Sequence, residues 1–401
     1  MRKELVNMKA WNRITENGRS TMAAMMAAVA GLFLLPGTSS GHDGPDRGRE
    51  VRPAEKHPAL PPPKPASGYQ QVNLVSDVAG LAANLDTNLV NPWGLVIDRD
   101  GTLIVADNHS DLTTFYGPDG TAVNPPVQAE DEPTGITVNR SSHDFLISDG
   151  ANSHPARLLY ATESGKILAW NPNVDPSNAV VVADNSSSNA VYKGIALAHT
   201  RHGVLLYATD FHNARVDVFD SSFHWTGSFT DPNAEAGFAP FNVRNIGGWL
   251  FVTFAKQLGP DNEDDEAGPG NGFVDIFRPD GRLARRFASH GPLNSPWGLA
   301  VAPRHFGRLH NALLVGNFGD GTINAYNLRN GDFLGQLADA TGAPIAIEGL
   351  WALEFGRNAD VDGDDDDNGH GPNNALYFTA GPADETHGLL GVIVPTRGSH
   401  H

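Results

Sequence analysis

The sequence predicts an all-β fold: a single six-bladed β-propeller of four-stranded antiparallel blades. Two observations carry this prediction. The 401-residue chain contains 44 Gly and 28 Pro and is only 18% charged, a composition typical of many short strands joined by turns. In addition, one unit of short apolar runs recurs along the chain, and arrays of such units are typical of propellers.

The unit is clearest between Ser295 and Asn327. A Pro-Trp-Gly sequence leads into an apolar run, and two further runs follow after turns, the last with period-two alternation. The same pattern can be aligned on six residues that lie 41 to 59 positions apart: Gly94, Gly135, Gly194, Val243, Gly298 and Ala352. Each unit is a small sheet that cannot bury both faces alone, so six of them are expected to pack around one axis.

Glycine is expected at the alignment position because the first strands crowd together near the axis, where a Cβ would clash. The strand predicted at Gln71–Ser76 precedes the first unit. We expect it to pair with the last blade and close the ring, which removes two sheet edges. The second unit has one apolar run more than the others, so its strand order stays open. Residues 69–396 form the predicted propeller.

The N-terminus has the pattern of an export signal. Basic residues precede an apolar run from Met22 to Leu35, and small residues follow, which predicts a signal peptide over residues 1–40. A retained anchor is the alternative. Residues 41–68 are rich in proline and charge and predict a disordered linker, and residues 397–401 form a tail. We therefore expect an exported mature chain, periplasmic, secreted or on the cell surface, without a membrane span.

The charge and composition restrict the partners. The formal net charge is −18, which repels nucleic acid and anionic membranes, so neither is expected as a partner. The chain has no cysteine, so it forms no disulfide and no thiolate metal site. The expected partner is a small molecule or an extracytoplasmic protein.

Several motifs carry a family resemblance: NPWGL at Asn91, EPTGI at Glu132, SPWGLAVAP at Ser295, LLVGNFGDGTINAY at Leu313 and LYFTAGP at Leu376. With these motifs the chain resembles a family of exported bacterial NHL-like six-bladed propellers of unassigned function. The resemblance covers about four-fifths of the chain. It implies the propeller fold and export from a bacterial cell, and it implies no activity.

One ring of residues is a candidate binding site. The position just before the alignment point is expected at the mouth of the central channel, and it holds Trp93, Thr134, Lys193, Asn242, Trp297 and Trp351. In one interpretation the Trp rings plug the axis and pack on neighbouring blades. In the other, Trp93, Lys193, Asn242, Trp297 and Trp351 bind a ligand, since Trp offers a flat apolar face and one N–H donor. A binding protein is the first functional hypothesis.

A second ring is acidic. The ends of the second strands are predicted at Asp107, Glu163, Asp210, Phe254, Asn317 and Ala380, and Glu132 and Glu348 lie near first-strand starts. Carboxylates that converge in a channel repel one another unless they are protonated or bridged by a cation, and oxygen-only ligands favour Ca²⁺. The alternative is that each carboxylate caps a turn by accepting backbone N–H bonds.

The alternative function is a calcium-assisted lactone or ester hydrolase. His109 and His212 occupy matched places in two units, and a histidine at a channel mouth is a candidate general base. His387 is expected on the same rim. In this hypothesis four carboxylates lie near the metal: Asp107, Glu132, Asp210 and Glu348.

The loop from Asn358 to Gly369 has part of the spacing of a calcium-binding loop. Counted from Asn358, positions three, five, seven and nine are Asp360, Asp362, Asp364 and Asp366. Gly363 stands at position six, where the sharp turn is needed. Position twelve is Gly369 rather than the usual bidentate Glu. Calcium is therefore the candidate cofactor, and a solvated acidic insertion is the alternative.

Overall fold

A computed structural model describes residues 68–201, 203–356 and 374–396. The predicted signal peptide, the linker up to residue 67, the C-terminal tail and the loop Asn358–Gly369 lie outside these residues and stay predictions. The described part of the chain is an all-β propeller of six blades, as predicted. It contains three short 3₁₀ helices, at Asn108–Ser110, Ser186–Ser188 and Gly307–Leu309. None of its helices has the length and hydropathy needed to cross a bilayer.

Each blade is an antiparallel sheet whose first strand in the chain lies innermost. From the axis outwards, blades one to six contain the strands Pro92–Ile97, Leu103–Asp107, Leu112–Tyr116 and Val127–Gln128; Pro133–Val138, Leu158–Thr162, Lys166–Trp170 and Val180–Asp184; Tyr192–Thr200, Gly203–Asp210, Arg215–Phe219 and Trp225–Phe229; Phe238–Ile246, Trp249–Lys256, Gly272–Phe277 and Leu283–Ser289; Pro296–Val301, Ala312–Asn317, Ile323–Asn327 and Phe333–Gln336; Leu350–Phe355, Leu376–Ala380, Leu389–Pro395 and Tyr69–Ser76.

The ring closes through the N-terminal strand. Tyr69–Ser76 pairs antiparallel with Leu389–Pro395 and supplies the fourth strand of blade six, which confirms the predicted closure. The short strand Asn84–Leu85 adds a parallel fifth strand to the same sheet. The six innermost strands contact one another in order, and that of blade six contacts that of blade one. The closing strand therefore joins the start of the described chain to its end.

The strand order of blade two is now clear. The extra run, Leu146–Ser148, pairs with Ser153–Pro155 in a separate hairpin and leaves four strands for the blade. Phe145, at the base of this hairpin, is fully buried and packs against Phe223 of blade three, with ring centroids 5.3 Å apart. The hairpin therefore packs against blade three and takes no place in a blade sheet.

The first-strand glycines lie where the inner strands approach one another. A Cβ on Gly94 would lie 2.6 Å from the carbonyl oxygen of Thr134 in the next blade. A Cβ on Gly298 would lie 2.7 Å from the carbonyl oxygen of Trp351. Real Cβ atoms do not approach backbone this closely, so the predicted crowding at the axis is confirmed at these positions.

The same irregularity occurs in every blade. The register between the first and second strands shifts once in each of the six sheets, at or next to the predicted mouth position. A β-bulge redirects the side chain that it carries. Six bulges at one level of the axis therefore bring together side chains that are far apart in the sequence.

Candidate functional site

Three tryptophans close one end of the axis, and we call them the tryptophan plug: Trp93, Trp297 and Trp351. Trp93 and Trp351 are stacked with ring centroids 3.6 Å apart, and Trp297 meets both edge-on at 6.2 and 5.7 Å. Phe318 stacks on Trp351 at 3.9 Å. The three tryptophans are only 1–4% exposed. Their rings therefore pack mainly on one another.

Hydrogen bonds between blades hold the plug. The indole Nε1 of Trp351 donates to Oδ1 of Asn91 at 3.1 Å. Asn242 donates from Nδ2 to the carbonyl oxygen of Trp297 at 2.8 Å, which joins blades four and five. The packed and bonded rings agree with the interpretation of these residues as an axial plug. Direct ligand contact by all five predicted residues stays a prediction.

Lys193 lies beside the plug and is 1% exposed. Its ammonium pairs with the Glu163 carboxylate, lies 4.8 Å from the centroid of the Trp93 ring and lies 3.9 Å from Oδ1 of Asp264. Burial would lower the pKa of Lys193, but the neighbouring carboxylates, chiefly Glu163, outweigh it and leave the pKa raised. The buried lysine is therefore a fixed positive charge at the end of the axis.

Carboxylates surround this charge, and with it they form the acidic mouth: Glu132, Glu163, Lys193, Asp264 and Glu385. Glu163 accepts a hydrogen bond from Asn108 at 3.1 Å, and Glu385 accepts one from Asn91 at 2.8 Å. Burial and the nearby charge of Glu163 raise the pKa values of Glu132 and Glu385. In each antiparallel blade the second strand ends beside the start of the first strand. The acidic mouth therefore lies at the same end of the axis as the tryptophan plug.

The other members of the predicted acidic ring are bonded locally. Asp107 is fully buried and accepts a hydrogen bond from Thr114 at 2.7 Å, and burial raises its pKa well above the usual value. Asp210 accepts from the side chain of Asn213 at 2.7 Å and from two backbone amides at 3.2 Å, as a turn-capping carboxylate does. Glu348 accepts from the backbone amide of Ala383 at 3.0 Å.

The remaining positions of that ring carry no acid. Phe254 and Ala380 are fully buried apolar residues, and Asn317 donates to the carbonyl oxygen of Pro292 at 2.8 Å. Within residues 68–201, 203–356 and 374–396, no three acidic or histidine side chains meet in a geometry that could hold a metal ion. Calcium in the channel stays a prediction.

The three candidate histidines lie in three different segments of the chain. His109 is exposed in the 3₁₀ helix Asn108–Ser110, next to Asn108, which donates to Glu163 of the acidic mouth. The Nδ1 atom of His212 lies 2.9 Å from the carbonyl oxygen of Asp261. That of His387 lies 2.8 Å from Oδ2 of Asp77. Their role as bases stays a prediction.

Sequence reasoning missed Asn91, Asp264 and Glu385 at the mouth. A signal for Asn91 was present: Asn91, Glu132 and Ser295 each precede a proline at the start of an inner strand. All three have positive φ, at 47°, 59° and 46°. Aligning the repeats two residues before the tryptophan position, on the other side of the proline, would have placed these three residues at equivalent positions. Glu385 comes from a loop with no counterpart in the other units, so the repeat gives no signal for it.

A chamber of about 860 Å³ lies on the other side of the plug. All six innermost strands line this axial chamber. Its wall begins at Asn242 and Trp297 and continues to the far ends of the strands, at Arg244, Asn245 and Glu354. Trp93, Lys193 and Trp351 do not line it. The chamber is therefore blocked at the plug and opens where the inner strands end.

The chamber wall combines apolar side chains with polar and charged ones. Its apolar side chains come from all six blades: Leu95, Ile136, Ile195, Val243, Leu299 and Leu353. Near the open end, Arg244 of blade four pairs with Glu354 of blade six. Ligand sites in proteins typically enclose about 300–1,000 Å³ and combine apolar walls with a few polar groups, so the chamber fits a small molecule.

These features define the class: a six-bladed β-propeller with a plugged axis and an axial chamber. The chain belongs to the family of "Uncharacterized protein L690" of Acanthamoeba polyphaga mimivirus. The two are 32% identical over 352 residues, which cover 83% of this chain and 87% of the viral protein. "Uncharacterized protein R648" of the same virus is 32% identical over 335 residues, covering 80% of this chain and 78% of its own length. No family model matches the chain.

A solved structure shares the fold. A structural genomics protein of unknown function from Bacteroides thetaiotaomicron aligns with a TM-score of 0.50 at 11% identity, covering 82% of this chain and 76% of that chain. These comparisons support the propeller and a family of unassigned function. The two mimivirus proteins come from a virus, so a bacterial source and export gain no support from them.

Proposed function

We propose that the protein is a binding propeller that holds a small molecule in the axial chamber. The observation that carries this proposal is a ligand-sized chamber, lined by all six blades and closed at one end by the tryptophan plug. Of the five predicted ligand-binding residues, Asn242 and Trp297 line the chamber. In the proposal the other three support its closed end from the far side.

Binding is favoured over hydrolysis by the state of the polar groups. Among the described residues, the carboxylates proposed to hold calcium do not meet at one point, and Asp107 and Asp210 are already bonded within their own blades. The chamber wall offers apolar side chains from all six blades beside its polar groups, so it can enclose a ligand that has both kinds of surface.

The test uses a fluorescent probe whose emission rises in apolar surroundings, N-phenyl-1-naphthylamine. Thr137 is half-buried on the inner strand of blade two and lines the chamber, so Thr137→Trp fills part of it. Thr226 is exposed on the outermost strand of blade three, so Thr226→Trp is the matched control. We expect saturable binding of the probe to the wild type and to Thr226→Trp, and loss of binding in Thr137→Trp.

Absence of saturable binding to the wild type would contradict the proposal. Equal binding to the two tryptophan variants would also contradict it, because the probe would then lie elsewhere. Circular dichroism and thermal unfolding of each variant establish that the fold is retained.

Export is a separate part of the proposal and rests on the N-terminal sequence. We infer that the first 40 residues are removed during secretion. Expression of the full chain in a bacterial host, followed by mass spectrometry of the periplasmic and cytoplasmic fractions, tests this. Uncleaved protein confined to the cytoplasm would contradict it.

A further inference from the structure

The ion pair at the open end of the chamber joins two blades that are not neighbours. Arg244 lies on the inner strand of blade four, and Glu354 lies on that of blade six. The guanidinium reaches past blade five, donates from Nη2 to Oε2 of Glu354 and from Nη1 to the carbonyl oxygen of Leu353 at 3.2 Å. The pair therefore spans part of the chamber opening, with side chains 34% and 21% exposed.

The two partners are held unequally. Arg244 has a second contact on blade six through Leu353, so it keeps a bond if the carboxylate leaves. Within the described ranges, the hydrogen bonding of the Glu354 carboxylate is to Arg244 only. Glu354 is therefore the member of the pair that can move into solvent, and Arg244 is the member that stays at the chamber.

An anionic ligand can exchange with Glu354 at low cost. Arginine presents a planar fork that matches a carboxylate or sulfonate, and such charge-assisted bonds are stronger than neutral ones. If the ligand anion replaces the Glu354 carboxylate, the guanidinium stays paired throughout. A cationic ligand would instead have to separate Glu354 from Arg244 and leave the guanidinium with one carbonyl bond. The geometry thus favours an anion.

We propose that the ligand of the axial chamber is an organic anion with an apolar body, whose carboxylate or sulfonate displaces Glu354 from Arg244. This inference rests on the proposed function of the chamber. The apolar side chains of the wall contact the body of the ligand, and Arg244 binds its charged group near the opening. Arg140, His143, Asp144 and His199 line the same end of the chamber.

The test compares two related probes. 8-Anilino-1-naphthalenesulfonate is an anion, and N-phenyl-1-naphthylamine has nearly the same aromatic body without the charge. We expect Arg244→Gln to weaken binding of the anion about tenfold or more, because a charge-assisted bond is lost. We expect Glu354→Gln to strengthen it, because the competing carboxylate is gone. Affinity for the neutral probe should change by less than about twofold in both variants.

A third variant distinguishes the specific loss of the guanidinium group from misfolding of the protein. Arg244→Lys keeps the charge without the fork, so its affinity for the anion should fall between those of the wild type and Arg244→Gln. Competition by octanoate, but not by octanol, should follow the same order of variants.

The outcomes separate the two proposals. If both probes bind in the chamber, as loss in Thr137→Trp shows, but anion affinity is the same in all Arg244 and Glu354 variants, the anion inference is overturned and the proposed function stands. A higher anion affinity in Arg244→Gln also overturns the inference. If neither probe binds the wild type, both proposals fail.

Discussion

The hydroxyl of Tyr69 donates a hydrogen bond to the carbonyl oxygen of Phe306, 237 residues further along the chain, at 3.1 Å. The same hydroxyl accepts the backbone N–H of Leu309 at 3.2 Å. Tyr69 begins the strand that closes blade six, and Phe306 lies in the loop after the first strand of blade five. This one side chain therefore ties the closing strand to the neighbouring blade.

We expect Tyr69→Phe to lower the free energy of unfolding by about 1–2 kcal/mol, because a buried carbonyl and a buried amide lose their partner. Tyr326→Phe is the control: the Tyr326 side chain is also buried, but its hydroxyl has no hydrogen-bond partner among the described residues. Chemical denaturation of both variants measures the difference. A loss in Tyr326→Phe as large as that in Tyr69→Phe would count against this account of ring closure.

The inner-strand glycines give a second prediction. Gly94→Ala places a methyl group 2.6 Å from the Thr134 carbonyl oxygen, so adjacent blades must separate. We expect a loss of about 1–3 kcal/mol in the free energy of unfolding, as overpacked sites show. Ala352 occupies the same ring position with a Cβ already present, and Ala352→Gly should cost only about 0.5–1 kcal/mol. The reverse order would show that the position is not crowded by its neighbour.

The third prediction concerns pH. Burial raises the pKa of Asp265 from 3.8 to about 6, and its Oδ2 has no hydrogen-bond partner among the described residues. The folded state then holds this proton more tightly than the unfolded state. Its contribution to stability is fully present below pH 3.8 and is lost as the pH rises towards 6.

The variant Asp265→Asn carries no such proton, so it should become more stable than the wild type as the pH rises through this window. A pKa change from 3.8 to about 6 corresponds to about 3 kcal/mol, which sets the upper limit of the gain. Urea unfolding of both proteins at pH 4 and pH 8 measures it. A difference that does not depend on pH would contradict the raised pKa of Asp265.

The fourth prediction tests the calcium loop. Isothermal titration with Ca²⁺ should give a binding heat that disappears in Asp360→Ala combined with Asp362→Ala, because two oxygen ligands are removed. The matched control is Asp261→Ala combined with Glu263→Ala, in the loop between the strands Trp249–Lys256 and Gly272–Phe277, where both side chains are exposed. Unchanged heat in the first double variant would refute a calcium site in the loop.

The fold was predictable because its periodic signal is strong. Each unit carries the crowded first-strand position and the same sequence of apolar runs, and these depend on local packing at the axis. Blade two was the exception, since Leu146–Ser148 has the composition of a blade strand but pairs within a hairpin. A single apolar run does not reveal which strand it pairs with, so the sequence left the strand order of blade two open.

The candidate site was predictable only in part. Stacking the repeats brought Trp93, Trp297 and Trp351 to one level, but only coordinates show that the rings pack on one another. The ion pair at the chamber opening joins Arg244 and Glu354, which lie 110 residues apart on blades that are not adjacent. The repeat places both residues just after the alignment position, but it does not show that the Arg244 side chain reaches past blade five to Glu354.

The tryptophan plug closes the axial chamber at one end, so the chamber does not pass through the whole propeller. A molecule that entered the axial chamber would therefore have to leave by the same face. The two faces also differ in their charged groups: several carboxylates surround Lys193 at one, and Arg244 is paired with Glu354 at the other.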